Sequence, residues 1–505
     1  MEQEYQQQLD DLFRKIEQLE SVVRSQQQQI ESQQQIIEAQ QARIKQLESA
    51  LAASESALAA AKKNSSNSSK PPSSDIVKPK KNGADKDNKD DANNNADNAS
   101  SQRQRGGQKG HPGHFRPEFT ADQVDEVFEY TLTHCPSCGT QLEDAGRAPS
   151  VIQQVKIVKK PVKIEEHRGL PYWCPVCQCV HYGPMPKEVE HGGLFDARLT
   201  AIVAYMKGIC HASYSTIRKF LRDVIGVKVS RGHLKKILAK VSDSLEPVYN
   251  ELKTILPQQS AIHIDESSLP ENGKNLWIWV FETKLFSLYN IDPSRGSQVL
   301  IETLGKDFRG VIGCDYFSAY RKYMRDFNVV VQFCLAHLIR DIKFLCDQKD
   351  AATKSYGERL RELMRELFEI IHLHDGCDAS VFTTLLQAKQ SLILAAATLN
   401  VPATREAQNL AKRFLTHGES FFTFITNPEI EPTNNIAERA IRFVTIDRRV
   451  TQGVRGEWGR RFMERLWTVL ATCEKQTRDV MNFLEECLLS FWHDESPPPL
   501  ANANE

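Results

Sequence analysis

The sequence predicts a multidomain α+β protein, and three observations carry that reading. A heptad repeat fills the first 61 residues, two C-x-x-C pairs stand between 135 and 177, and near residue 260 the apolar period changes from helical to alternating. The 505 residues are 40% hydrophobic and 26% charged, enough for several ordinary cores. A formal net charge of −1 argues neither for nor against a polyanionic partner, so local clusters have to decide. The N-terminus is rich in Gln and Glu, unlike a signal peptide. No apolar run reaches the about 18 residues of a membrane span. The expectation is a soluble cytoplasmic chain, in which 12 cysteines are too sparse for a disulfide scaffold.

The heptads come first. Leu9, Ile16, Val23, Ile30, Ile37, Ile44, Leu51 and Leu58 recur every seventh residue. Three places on stand Leu12, Leu19, Gln26, Gln33, Gln40, Leu47, Ser54 and Ala61. An apolar a seam with glutamine in its middle d layers predicts a coiled-coil oligomerisation helix over 1–61, and a homo-oligomer, expected to be a dimer. Residues 62–119 hold little that is apolar and read as a disordered basic linker ending in "RQRGGQKGHPGHFR".

Residues 120–192 read as a zinc ribbon. Cys135 and Cys138 in "HCPSCG", then Cys174 and Cys177 in "YWCPVCQC", give four thiolates in two turn-bearing pairs, the donor set of a structural Zn²⁺. Cys179 and His181 are close enough to be alternative ligands. Residues 193–250 read as three helices of helix-turn-helix type, the last with Ser230 as N-cap. Between Ala212 and Val241 there are eight Lys or Arg and one acid, so Arg218, Lys219, Arg222, Arg231, Lys235 and Lys236 make a cationic face suited to double-stranded DNA.

The catalytic-core expectation covers 255–340 and 431–480, with a helical insertion over 341–430 and a C-terminal helix and tail over 481–505. "AIHIDES", "LWIWVFE" and "LFSLYNI" are strands, followed by helix, the strand "GVIGCD", helix, strand and helix. Three strands followed by that alternation is the order of a ribonuclease H-like sheet, in which the first and fourth strands are neighbours. Asp265 ends the first strand and Asp315 the fourth, while Glu438 lies on a helix after the insertion. Phosphodiester cleavage uses such a set: divalent cations held by a few carboxylates can carry both the attacking and the leaving oxygen. Arg439, Arg442, Arg448 and Arg449 around Glu438 would then hold the DNA backbone. Glu266 alternates to the other face, and Cys334 and His337 read as structural rather than as a metal pair.

These residues also carry a resemblance. "NSSNSSKPPSSD", "GGQKGHPGH", the paired C-x-x-C, "HIDES", "GCDYFSAY", "FCLAHLIRD" and "PTNNIAERAIR" occur in one order from about residue 64 to 490. In this the chain resembles bacterial transposases of the insertion-sequence-sixty-six family, which have an Asp-Asp-Glu core. The resemblance implies that Asp265, Asp315 and Glu438 are the catalytic triad. It further implies strand cleavage and strand transfer at insertion-sequence ends with Mg²⁺ or Mn²⁺, in a nucleoid-associated protein that works with accessory proteins of the same element. Ser267 stands where the family often has Thr, and Ile339 precedes Arg340 where it often has two arginines. Two other readings stay open on sequence alone: a DNA-binding regulator without catalysis, and a Mg²⁺ nuclease of the same fold.

Overall fold

The computed structural model describes residues 161–175, 178–373 and 378–501, with short pieces between 31 and 45 and between 120 and 141. The chain divides into two compact units, one of residues 1–78, 167–223 and 227–505, the other of 79–166 with 224–226. In the smaller unit the described residues form one 3₁₀ turn, Ala121–Gln123, and one antiparallel bridge, His134 to Gln141. The expected linker lies outside the described residues. So does most of the segment expected to form a coiled coil, of which the described positions between Glu31 and Lys45 are helical and exposed. Among the described residues no helix is long and apolar enough to cross a membrane.

The larger unit starts with a hairpin, β1 (Pro171–Cys174) against β2 (Cys179–Tyr182), antiparallel with Cys174 opposite Cys179. Cys174, the first cysteine of the second C-x-x-C, therefore ends β1. Cys135, Cys138 and Cys177 lie outside the described residues.

Helices α1 (Lys187–Gly192), α2 (Ala197–Gly208), α3 (Tyr214–Phe220) and α4 (Arg231–Ile255) follow. Each of the last three begins where a short polar side chain takes an orphan N–H of the first turn: Asp196 for Leu199, Ser213 for Thr216 and, as expected, Ser230 for His233. Helix α4 runs on through residue 250, where the helical domain was expected to end. Leu234, Leu238, Val241, Leu245, Val248 and Leu252 form its buried stripe, spaced by three and four.

The central sheet has five strands: β3 (Ala261–Glu271), β4 (Lys274–Glu282), β5 (Ser287–Asp292), β6 (Val311–Cys314) and β7 (Val330–Phe333). Their spatial order is β5-β4-β3-β6-β7, so the first and fourth strands are neighbours as the sequence predicts. The pairs β3/β4 and β4/β5 are antiparallel, whereas β3/β6 and β6/β7 are parallel. The parallel pairs need helical crossovers, supplied by α5 (Gln298–Leu304) and α6 (Ser318–Phe327). Asn272 and Gly273, at φ 47° and 82°, turn β3 into β4; positive φ at both is what a two-residue turn of type I′ asks for. That turn corrects one expectation: β3 does not end at Asp265 but continues six residues to Glu271.

After β7 come α7 (Leu335–Cys346), the insertion helices α8 (Ala351–Ile371), α9 (Ala379–Thr398) and α10 (Arg405–His417), then α11 (Asn435–Thr451), α12 (Gly456–Lys475) and α13 (Val480–His493). Helix α12 lies along β5, the outer strand. It presents Glu464, Thr468 and Thr472, one turn apart and fully buried. These accept the N–H groups of Ile291 (2.6 Å), Tyr289 (3.0 Å) and Ser287 (3.2 Å). Four helical residues rise about 6 Å and two strand residues about 6.6 Å, so the periods match. The open ladder of an edge strand is thereby closed by side chains. At the other edge, Gln332 of β7 bonds Phe421 O and Phe424 N at 2.9 Å each.

Candidate active site

The parallel pairing of β3 with β6 ends at His263 opposite Gly313. Two residues further on stand Asp265 and Asp315, and the strand period of two gives them the same face. Asp265 Oδ1 accepts the N–H of Glu266, and Asp315 Oδ1 that of Phe317, both at 2.9 Å. Glu438 enters from the first turn of α11. Both aspartates sense the charge of Glu438. Burial, then the negative charges of Glu266, Asp315 and Glu438, pushes the Asp265 carboxyl well above the usual carboxylate range. Burial and Glu438 also raise Asp315, against the pull of the Phe317 N–H, Arg295 and Arg340.

Asn434 fixes where Glu438 stands. It occupies the N-cap of α11, but its side chain makes no cap bond. Its Nδ2 donates instead to the Ile264 carbonyl (2.8 Å), and its Oδ1 pairs with His263 Nδ1 (3.1 Å). Its own N–H donates to Cys334 Sγ (3.1 Å), and its carbonyl accepts from the N–H of Glu438 (3.0 Å). One buried asparagine thus joins the strand of Asp265, the end of β7 and the turn that bears Glu438. The His263 ring crosses Gly313, where a Cβ would come within 2.4 Å of Nδ1, so no larger residue fits there unless the ring moves.

Glu266 takes a different role, as its opposite direction in the strand predicts. Arg295 binds its Oε1 through Nε (2.9 Å) and Nη2 (2.7 Å), while Tyr320 donates to Oε2. The Arg295 guanidinium lies over the rings of Phe317 (4.0 Å) and Trp277 (4.5 Å). Burial and the charge of Asp315 push the Glu266 carboxyl up to about 7 despite these partners. Arg340, on α7, donates from Nη2 to Glu438 Oε1 (3.0 Å), and His337 Nδ1 is 3.3 Å from the same oxygen.

Ligand atoms of Cys334, His337 and Glu438 all lie within 4.8 Å of one another. Burial pushes the Cys334 thiol up to about 11 and, with Arg340, holds His337 down at about 4. The thiol accepts the Asn434 N–H, and with His337 and Glu438 it makes a second set of possible metal donors beside the acids.

The basic residues divide into two groups. Arg439, Arg442 and Arg449 are exposed on α11, whereas Arg448 turns inward, donating to Ser267 Oγ (3.3 Å), Ser268 Oγ (3.0 Å) and the Ser268 carbonyl. On α3 and α4, Lys219 and Lys236 are exposed. Arg218 donates to Val229 O (2.8 Å), Arg231 to Ser215 Oγ (3.2 Å), and Arg222 pairs with Asp223. The Lys235 ammonium sits 5.5 Å from the Trp458 ring. Sequence reasoning missed Asn434, Arg295, Tyr320 and the part of Arg340. For Asn434 a signal existed, a doubled Asn directly before a helix.

A mixed five-stranded sheet that sets two aspartates at the end of a parallel pair, met by a helical glutamate, defines an α+β protein with a carboxylate centre. More particularly, the chain belongs to the IS66 family of transposases, whose model matches residues 192–461. It is 26% identical over 338 residues to the uncharacterized protein y4qI of Sinorhizobium fredii, covering 60% of this chain and 61% of that one. A second uncharacterized protein of that organism, y4hP, is 22% identical over 394 residues, 70% of each chain. The match thus spans about three fifths of the first relative's length.

Proposed function

We propose that the protein is a DNA transposase that cleaves strands at the ends of an insertion sequence and transfers them to target DNA, using a divalent cation held by Asp265, Asp315 and Glu438. The observation that carries this reading is the placement of Asp265 and Asp315 on one face of the neighbouring strands β3 and β6, with Glu438 of α11 near enough for its charge to raise both carboxyls. Four carboxylates, with Glu266, stand against two guanidiniums, Arg295 and Arg340, which leaves an excess of negative charge where a cation would neutralise it. All three proposed donors are carboxylate oxygens, the donors hard cations such as Mg²⁺ or Mn²⁺ prefer. Membership in a transposase family implies such a cation. When bound, it supplies Lewis-acid stabilisation of the phosphate and of the oxygens that attack and leave.

The chain's own residues do the rest. Asn434 and the His263–Gly313 contact hold the strand and helix in register. Arg439, Arg442 and Arg449, with the cations of α3 and α4, bind the DNA backbone. The ribonuclease H-like strand order supports this reading of the core. The heptads join copies of the chain so that two element ends are held together. Accessory proteins of the element complete the assembly, in the nucleoid.

The test is Glu438→Gln in the full chain, assayed on duplex DNA carrying the inverted repeats that flank the gene. In Mg²⁺, cleavage and strand transfer should fall at least about 10²-fold. DNA affinity should hold or rise, because less negative charge faces the phosphates. Unchanged cleavage in a folded variant would refute the assignment. Cleavage without joined products in the wild type would leave a nuclease instead.

A further inference from the structure

We propose that Arg340 is an exchangeable guanidinium: it holds Glu438 in the cation-free protein and turns to a nonbridging oxygen of the DNA phosphate in the loaded one. This rests on the reading of the three acids as a cation site.

The two guanidiniums beside the acids are built differently. Arg295 is locked, with two bonds to one Glu266 oxygen and contacts to two aromatic rings. Arg340 is held lightly. Its Nη2 makes one bond to Glu438 Oε1, its Nε has only a long contact of 3.4 Å to Ala336 O, and its Nη1 meets no acceptor among the described residues. Beneath it lies the His337 ring, both of whose nitrogens are 3.3–3.4 Å from Nη2. At these long distances the ring carries the guanidinium without pinning it. Arg340 and Glu438 keep 20% and 27% side-chain exposure, so both stay open to solvent or ligand.

Arg340 therefore holds an oxygen that a cation site needs. When the Glu438 oxygen is engaged elsewhere, the guanidinium loses its partner beside the acids that would hold the cation. A phosphodiester oxygen is the acceptor a planar, permanently charged fork fits best.

The experiment uses the full chain with Mn²⁺ as probe. Mn²⁺ affinity is measured by calorimetry for wild type, Arg340→Ala, Arg340→Gln, Arg340→Lys and Glu438→Gln, with circular dichroism to check folding. Removing the guanidinium should tighten Mn²⁺ about tenfold, the equivalent of one charge-assisted hydrogen bond no longer competing for Glu438. The same two variants, Ala and Gln, should lose kcat for DNA cleavage about 10²-fold at saturating Mn²⁺, with Lys partly restoring it. Tighter cation binding with slower chemistry is a pair of effects that a merely structural residue does not produce. Unchanged or weaker Mn²⁺ binding in folded Arg340→Gln would overturn the inference while leaving the cation site standing. If wild type and Glu438→Gln titrate alike, the cation site itself falls and the inference with it.

Discussion

Replacing Asn434 by alanine should loosen the active site from behind. The side chain is 1% exposed, and its two partners are the Ile264 carbonyl at 2.8 Å and His263 Nδ1 at 3.1 Å. Water does not readily replace it, since Ile264 is 0% and His263 6% exposed. Each buried polar group left unpaired costs about 1–3 kcal/mol, so the pair costs about 2–6 kcal/mol. A multidomain chain does not unfold in one step, so a global midpoint would blur this loss. Hydrogen–deuterium exchange resolves it locally. Amides of 261–271 and 435–451 should exchange about 30-fold to 20,000-fold faster, the same energy expressed as an opening constant. Exchange in α9 should be unchanged. Glu438, whose N–H bonds the Asn434 carbonyl, should lose its fixed place, and Mn²⁺ should bind more weakly. Exchange within threefold of wild type in both segments would refute the claim that this one side chain joins strand and helix.

Two further outcomes test the frame. Thr468→Val keeps the side-chain volume but orphans the Tyr289 N–H, which Thr468 accepts at 3.0 Å in a fully buried position. It should destabilise the sheet locally by about 1–3 kcal/mol, read as faster hydrogen–deuterium exchange of the 287–292 amides, and a loss below a few tenths would mean β5 does not depend on α12 for its edge. Cys174→Ser should lose about one equivalent of zinc by elemental analysis, as expected of a four-thiolate site; a wild-type protein without zinc would end that reading.

The strand order was legible because three alternating runs followed by helix–strand–helix–strand leave few topologies, and the parallel strands need crossovers. The adjacency of Asp265 and Asp315 follows from that order. The length of β3 was also legible in principle: Asn272-Gly273 between two apolar runs is a hairpin signal, and it moves Asp265 from a strand end to mid-strand. Glu464, Thr468 and Thr472 read in sequence as an ordinary polar face of a helix. Only the packing of α12 on β5 shows that they complete a backbone ladder.

What the sequence by itself determined is periodic or local. Heptads, turn residues, alternation and the types of charged residue depend on neighbours a few positions away, and they suffice to mark the elements and the acids. Which charges meet was decided by the tertiary structure alone. Arg448 looks in sequence like its neighbours Arg449 and Arg442, yet it reaches back 180 residues to Ser268, while those two face outward. Arg340 and Glu438 are 98 residues apart and share a hydrogen bond. Asn434 finds Ile264 across 170 residues. A side chain's energy depends on what burial leaves for it to pair with, and for these residues that partner comes from another part of the chain, which no local pattern encodes.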